Sequence, residues 1–145
     1  MSNLASQLIA EEEGPRSRVV YLDSLGYETI GRGCLVDARM KGAGLCDAAL
    51  DAQEAHDISN AAQIASSFPF FDDMNDVRQA ALTSMTFQLG RAPLGWKNFM
   101  AALTAKDYES AAAAGLDSLW AKSQTPKRAT REMEMLRTGL WVAHT

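Results

Sequence analysis

Residues 13–33, EGPRSRVVYLDSLGYETIGRG, combine a helix stop, a hairpin and several polar side chains within one short stretch. Leu4 and Leu8, just before this stretch, recur at helical spacing. Gly14 is followed directly by proline, and this pair is typical of the end of a helix. The pattern therefore predicts a helix over residues 2–13.

Two short strands are predicted directly after this helix. Residues 19–21 (VVY) are β-formers, and Ser24 and Gly26 provide turn chemistry. A second strand follows around Thr29 and Ile30. The pattern predicts an antiparallel hairpin that begins just after the helix ends.

Glu13 would be the last residue of the predicted helix, where the negative end of the helix dipole raises the pKa of its carboxyl. A carboxyl that stays protonated near neutral pH can act as a general acid. The hairpin can run back past the helix end, so that Asp23 in the turn and Thr29 on the return strand face Glu13. One protonated and one ionised carboxyl across a groove suit the cleavage of glycosidic bonds. The same spacing is also compatible with a solvated glutamate and a turn-capping aspartate.

The order of these residues resembles that of a known family, the T-even phage lysozymes, glycoside hydrolase family 24. The resemblance covers most of the chain and is weakest over residues 36–58. It is carried by Glu13-Gly14, Tyr21-Leu22-Asp23, residues 26–33 (GYETIGRG), 80–90 (AALTSMTFQLG), 117–120 (DSLW) and 124–141 (QTPKRATREMEMLRTGLW).

The resemblance implies a role for each residue of the site. Glu13 would be the general acid to the leaving sugar oxygen, Asp23 the second catalytic carboxylate, and Thr29 a holder of the attacking water. Water attack implies an inverting mechanism with the two carboxyls about 6.5–9.5 Å apart. Further family positions are Leu35, Phe87, Phe99 and Ala114 in the sugar cleft, Arg128 as the partner of the catalytic glutamate, and Gln88 and Gln124 as structural hydrogen-bonding groups. From the residues alone, Phe87 and Phe99 are as compatible with a place in the core as with a place in the cleft.

The implied activity is that of an endolysin, which hydrolyses the β-1,4 bond between N-acetylmuramic acid and N-acetylglucosamine in peptidoglycan without a cofactor. Phe99 and Ala114 replace polar residues of the family's reference member, and the net charge of -4 differs from that of the usually basic lysozymes. A peptidoglycan-binding, lysozyme-like domain with weak or no activity is therefore the alternative. A lytic transglycosylase is a third hypothesis, since that chemistry needs no second carboxylate.

A chain of 145 residues is long enough for one domain with its own core. We expect a single α+β, lysozyme-like domain over residues 1–145. Its parts would be an N-terminal hairpin lobe over about 12–50, a linking helix over about 50–67, and a helical lobe over about 68–145. The N-terminal helix would belong to the helical lobe.

Cap residues and periodicity predict the helices of the second half. Asp72 or Asp73 can cap the helix that carries the AALTSMTFQLG segment. The Thr-Pro pair at 125–126 is a start signal for the last helix. Leu140 and Trp141 are among the apolar residues that we expect this helix to bury.

The chain lacks the signals of export and membrane insertion. No apolar run approaches the roughly 20 residues that span a bilayer, and residues 1–14 contain no Lys or Arg. We therefore expect a monomer in the host cytoplasm that reaches periplasmic peptidoglycan through a holin, or else delivery as part of a virion. Nucleic-acid binding is not expected. Cys34 and Cys46 are expected as free thiols, and with His56 they lack the spacing of metal ligands.

Overall fold

The structure is a computed structural model that describes residues 4, 7–8, 10–11, 14–31, 34–36 and 45–144. The chain divides into two compact units, Met1–Gln53 and Glu54–Thr145. The strands lie in the first unit, and helices build the second. The predicted α+β class is confirmed.

The first unit contains a three-stranded antiparallel sheet in the order β1-β2-β3. Strand β1 is Ser17–Leu22, β2 is Glu28–Gly31 and β3 is Cys34–Leu35. Strands β1 and β2 form the hairpin that the β-formers and the turn residues predict.

Gly14 ends the N-terminal helical segment of the same unit. Its backbone lies in the left-handed region with φ 71°, and its N–H donates to the carbonyl of Ala10 at 3.1 Å. Glycine adopts this conformation at little cost because it has no Cβ. Gly14 therefore has the helix-ending conformation that the sequence predicts.

Helix α1, Asp47–Ala65, contains the boundary between the two units. The elements that follow are a 3-10 turn at Phe71–Asp73, α2 at Asp76–Leu89, a 3-10 turn at Ala92–Gly95, α3 at Lys97–Thr104, α4 at Tyr108–Leu116, a π-helical turn at Trp120–Gln124 and α5 at Pro126–Thr138.

The core of the second unit lies where α5 packs against α2 and α4, and where α4 packs against α3. Burial of each large apolar side chain there stabilises the unit by about 1.5–3 kcal/mol. The largest of these fully buried side chains are Leu82, Met85, Phe99, Leu103, Trp120, Met133 and Leu136. Phe99 makes edge-on contacts with Phe68 and Trp96, with ring centroids 5.9 Å apart in both pairs.

The cap of α2 differs from the prediction. Asn75 caps the helix, because its side-chain oxygen accepts the N–H of Arg78 at 3.0 Å. Asp72 and Asp73 instead form part of the preceding 3-10 turn. The prediction was wrong because this short turn separates the two aspartates from the start of the helix.

The end of α5 also differs from the prediction. The helix ends at Thr138, and Gly139 follows with a left-handed backbone, φ 70°. The chain therefore leaves the helix before Leu140 and Trp141, whose side chains are 68% and 66% exposed. The prediction that both are buried was wrong.

Candidate active site

Asp23 lies in the turn between β1 and β2 and is partly buried. Its Oδ1 accepts the backbone N–H groups of Leu25 and Tyr27, both at 2.9 Å. Its own backbone N–H donates to the carbonyl of Tyr27 at 2.9 Å, which closes the turn. Its Oδ2 receives no hydrogen bond from any of the described residues. One carboxylate oxygen therefore orients the side chain, and the other remains available for a ligand.

Thr29 is the central member of a row across the sheet. Tyr21 on β1 and Leu35 on β3 are its direct partners. Directly opposed residues of antiparallel strands have side chains on the same face. Thr29 is 1% exposed, and its hydroxyl donates to the carbonyl of Tyr27 at 3.0 Å. The sheet thus places two predicted site residues, Thr29 and Leu35, side by side. Tyr21 is the third residue of this row. The sequence alone did not reveal its position, because that position depends on the hairpin register.

Glu13 lies outside the described residues. Its distance from Asp23, and the separation expected of an inverting enzyme, stay predictions. The described residues nearest to it in sequence are Glu11, which accepts a hydrogen bond from the Gln7 amide at 2.8 Å, and Gly14.

Arg128 belongs to a partly buried polar cluster in the second unit, formed by Arg128, Glu132 and Ser84 (the Arg128 cluster). Its Nε donates to Glu132 Oε1 at 2.7 Å, and its Nη2 donates to the Ser84 carbonyl at 2.8 Å and to Ser84 Oγ at 2.9 Å. The Ser84 hydroxyl donates in turn to Glu132 Oε1 at 2.5 Å. Sequence reasoning missed Glu132, although its spacing of four residues from Arg128 on a helix was a signal for an ion pair.

Two cavities in the second unit contain predicted sugar-contacting residues. The Phe87 cavity has a volume of about 620 Å³ and is largely apolar. Its lining includes Ile58, Ala62, Phe71, Ala80, Thr83 and Phe87, with Ser84 and Arg128. The Phe99 cavity has a volume of about 600 Å³. Its lining includes Trp96, Asn98, Phe99, Ala114, Asp117, Ser118 and Gln124.

The three predicted sugar contacts of the second unit therefore line two different cavities. Phe99 and Ala114 share one cavity, Phe87 lines the other, and Leu35 belongs to the first unit. Phe99 is 0% exposed, whereas Phe87 is 47% exposed. Phe99 is therefore a core residue that also lines a cavity.

The Phe99 cavity is lined by charged groups of both signs, Asp117 and Lys97. Asp117 accepts a hydrogen bond from Lys122 at 2.5 Å. This hydrogen bond, together with the charge of Lys122, lowers the pKa of the Asp117 carboxyl. Asp117 therefore remains ionised throughout the neutral range.

Gln88 connects α2 to the π-helical turn and to the start of α5. Its Oε1 accepts the indole N–H of Trp120 at 2.9 Å, and its Nε2 donates to the Thr125 hydroxyl at 3.1 Å. Helix α5 begins at Pro126 as predicted, but the Thr125 side chain makes no capping hydrogen bond to the helix. Gln124, by contrast, is exposed.

Replacement of Gln88 by leucine should lower the free energy of unfolding by about 1–3 kcal/mol, because the buried Trp120 N–H loses its acceptor. Urea denaturation measures this change. Gln124→Leu is the matched control, and we expect it to change stability by less than about 0.5 kcal/mol because the side chain is exposed. Equal effects of the two substitutions would contradict the structural role of Gln88.

No group of three or more His, Cys, Asp or Glu side chains among the described residues could hold a metal ion. Cys46 is a free, exposed thiol. In the described part of the chain, no helix is long and apolar enough to cross a membrane.

A small antiparallel sheet with Asp23 and Thr29, followed by a helical unit, defines an α+β protein of the lysozyme-like class. The chain matches the phage lysozyme family over residues 10–135 and belongs to that family. The resemblance predicted from the sequence is thereby confirmed.

The chain is also similar to the pre-baseplate central spike protein Gp5 of Enterobacteria phage T4. The two are 30% identical over 160 aligned residues, which cover 92% of this chain and 28% of that protein. The chain therefore spans just over a quarter of the length of this relative.

Proposed function

We propose that this chain hydrolyses the β-1,4 bond between N-acetylmuramic acid and N-acetylglucosamine in bacterial peptidoglycan, with inversion and with Glu13 as the general acid. Membership of the phage lysozyme family supports a lysozyme-type glycoside hydrolase. The observation that supports the proposed site most directly is the carboxylate of Asp23, which is oriented through Oδ1 and leaves Oδ2 without a partner among the described residues.

In this mechanism Glu13 donates its proton to the glycosidic oxygen as the bond to the anomeric carbon breaks. A water molecule attacks the anomeric carbon from the opposite face, and Asp23 accepts its proton. Thr29 helps to hold this water. The products are two shorter glycan chains, and no cofactor takes part.

The remaining predicted residues would bind substrate or support the acid. Leu35, Phe87, Phe99 and Ala114 are proposed sugar contacts, and Arg128 is the proposed partner of Glu13. The 47% exposed ring of Phe87 offers an apolar surface to a sugar face. The ring of Phe99 is buried, so that at most its edge can contact a sugar in the Phe99 cavity.

The route of this chain to the cell wall is a separate proposal. The relative from phage T4 is named as a pre-baseplate central spike protein, and this supports delivery as part of a virion. Release through a holin is the alternative, and the same hydrolysis would serve both routes.

The second candidate function is a peptidoglycan-binding domain without turnover. One observation favours it: the Nε and Nη2 groups of Arg128 are already bonded to Glu132 and Ser84. If these hydrogen bonds prevent Arg128 from pairing with Glu13, the general acid has no charged partner.

The test measures the products released from purified Gram-negative peptidoglycan. We expect reducing N-acetylmuramic acid ends, formed initially with inverted anomeric configuration. In Asp23→Asn the amide oxygen can still accept the two backbone N–H groups, so the turn persists while the base is lost. We expect the rate to fall by about 10²–10⁴-fold. Asp72→Asn, an exposed site, is the matched control.

Each alternative has its own result in this experiment. A 1,6-anhydro product would mean a lytic transglycosylase, and retained configuration would exclude inversion. Binding of the wild-type protein to peptidoglycan without release of product would mean a binding domain. An unchanged rate in Asp23→Asn would contradict the role of Asp23.

A further inference from the structure

Glu132 is buried in the second unit without an obvious benefit to folding. Its side chain is 5% exposed, and Oε2 has no hydrogen-bond partner among the described residues. A buried carboxylate is costly, and well-packed apolar residues often replace a buried ion pair without loss of stability. The neighbouring α5 residues Met133, Met135 and Leu136 are buried and apolar, so this position could also carry an apolar side chain. The carboxylate therefore calls for an explanation other than packing.

The hydrogen bonds of the Arg128 cluster form a closed triangle. Glu132 Oε1 accepts from both Arg128 and Ser84, and Ser84 Oγ also accepts from Arg128. The Ser84 carbonyl, on α2, provides a third contact to the guanidinium. A free arginine side chain samples many rotamers, but these contacts hold Arg128 in one orientation from two helices.

The contacts leave part of the guanidinium unused. Arg128 Nη1 makes no hydrogen bond to the described residues, and the side chain is 38% exposed. Arg128 and Ser84 both line the Phe87 cavity, whereas Glu132 lies behind them in the core. Glu132 and Ser84 thus bind the guanidinium through Nε and Nη2, and Nη1 can donate to a second carboxylate.

We propose that Glu132 is the positioning residue of Arg128: it fixes the guanidinium at the wall of the Phe87 cavity and offsets part of its charge. The orientation can be tested on the protein by itself. The consequence for catalysis rests on the proposed function, in which Arg128 pairs with Glu13.

The sign of the charge effect follows from electrostatics. Arg128 favours the ionised form of a nearby carboxyl, and Glu132 weakens that effect. Without the Glu132 charge, Glu13 would lose its proton at lower pH, and the enzyme would lose its general acid there. The alkaline limb of the kcat profile should therefore move to lower pH.

Few other charges surround the cluster. Among the described residues, Glu132 is the only carboxylate that forms an ion pair with Arg128. Glu54 and Asp76 line the same cavity. Other charged groups of α2, α4 and the π-helical turn have partners of their own. Arg78 donates to the carbonyls of Leu136 and Arg137, Glu109 pairs with Arg137, and Lys122 pairs with Asp117.

Two substitutions separate orientation from charge. Glu132→Gln keeps an oxygen that can accept from Arg128 and Ser84 but removes the charge. We expect kcat to stay within about threefold at its optimum and the alkaline limb to move by on the order of 1 pH unit. Glu132→Ala removes the acceptor as well, and we expect kcat to fall by about 10- to 100-fold with KM nearly unchanged.

Glu134→Gln is the matched control. It lies on the same helix, changes the net charge equally and breaks a pair with Arg137, but it does not contact Arg128. We expect it to leave kcat and the alkaline limb unchanged. A shift equal to that of Glu132→Gln would overturn the proposed charge effect.

NMR of the arginine Nε–H groups tests the orientation without an activity assay, with the Arg128 signal assigned through Arg128→Lys. We expect a protected signal in the wild type and in Glu132→Gln, and loss of protection in Glu132→Ala. If the alanine variant does not fold, Ser84→Ala, which removes another arm of the triangle, should weaken the protection. Unchanged protection in the folded variant would overturn the positioning role. An inactive wild type with this NMR result would refute only the proposed function.

Discussion

Replacement of Glu13 by glutamine should lower the rate of peptidoglycan hydrolysis by about 10²–10⁴-fold, because glutamine cannot donate a proton to the leaving sugar oxygen. The substitution removes the transferable carboxyl proton and keeps the size of the side chain. The rate of release of reducing ends measures the effect. Binding to insoluble peptidoglycan, measured in parallel, should be almost unchanged because the loss concerns the transition state.

Glu11→Gln is the matched control for this experiment. Glu11 belongs to the same run of three glutamates, and it is an exposed helical residue that accepts a hydrogen bond from Gln7. We expect it to retain full activity. If Glu13→Gln retained activity and Glu11→Gln lost it, the assignment of the acid would be wrong. Equal losses would point to the acidic run as a whole.

Local chemistry explains which parts of the fold could be predicted. Gly14 and Pro126 act through their own backbones: the glycine permits a positive φ, and the proline suits the first turn of a helix. Their effects do not depend on distant contacts, so the conformation predicted at each of these two residues agrees with the structure. Asp72 and Asp73 show the limit of this reasoning, because an equally good cap residue, Asn75, follows a short turn further on.

Burial was harder to predict because it depends on distant contacts. Glu132 follows an arginine in a segment that mixes charged and apolar residues, and a charged residue is normally expected at the surface. Its burial requires Ser84, which lies 48 residues earlier on another helix. Leu140 and Trp141 show the opposite error, since their apolar character predicted burial and the helix ends before them.

The residues of the candidate site could be predicted from the sequence, but their arrangement in space could not. The family motif selects Asp23 and Thr29, and the turn and the sheet provide local geometry for both. The predicted sugar contacts of the second unit divide between two cavities because Phe87 lies on α2, whereas Phe99 and Ala114 lie on α3 and α4. Phe87 and Phe99 were equally compatible with the core and the cleft, and only the packing distinguishes them.

Replacement of Phe99 by alanine tests this distinction and should lower the free energy of unfolding by about 3–5 kcal/mol. The ring is 0% exposed and contacts Phe68 and Trp96 edge-on, so its removal leaves a void that the surrounding rings cannot fill. Native domains are stable by only about 5–15 kcal/mol, so a large part of the stability of the second unit would be lost. Urea denaturation followed by tryptophan fluorescence measures the change.

Phe87→Ala is the matched control, because it makes the same substitution at a position with the same predicted role. Phe87 is 47% exposed, and we expect a loss below about 1 kcal/mol. Its effect should instead appear in KM, since an exposed ring in a cavity can contact sugar while it contributes little to the core. If Phe99→Ala kept its stability and raised KM, the ring would be a sugar contact, and the packing of α3 against α4 would not depend on it.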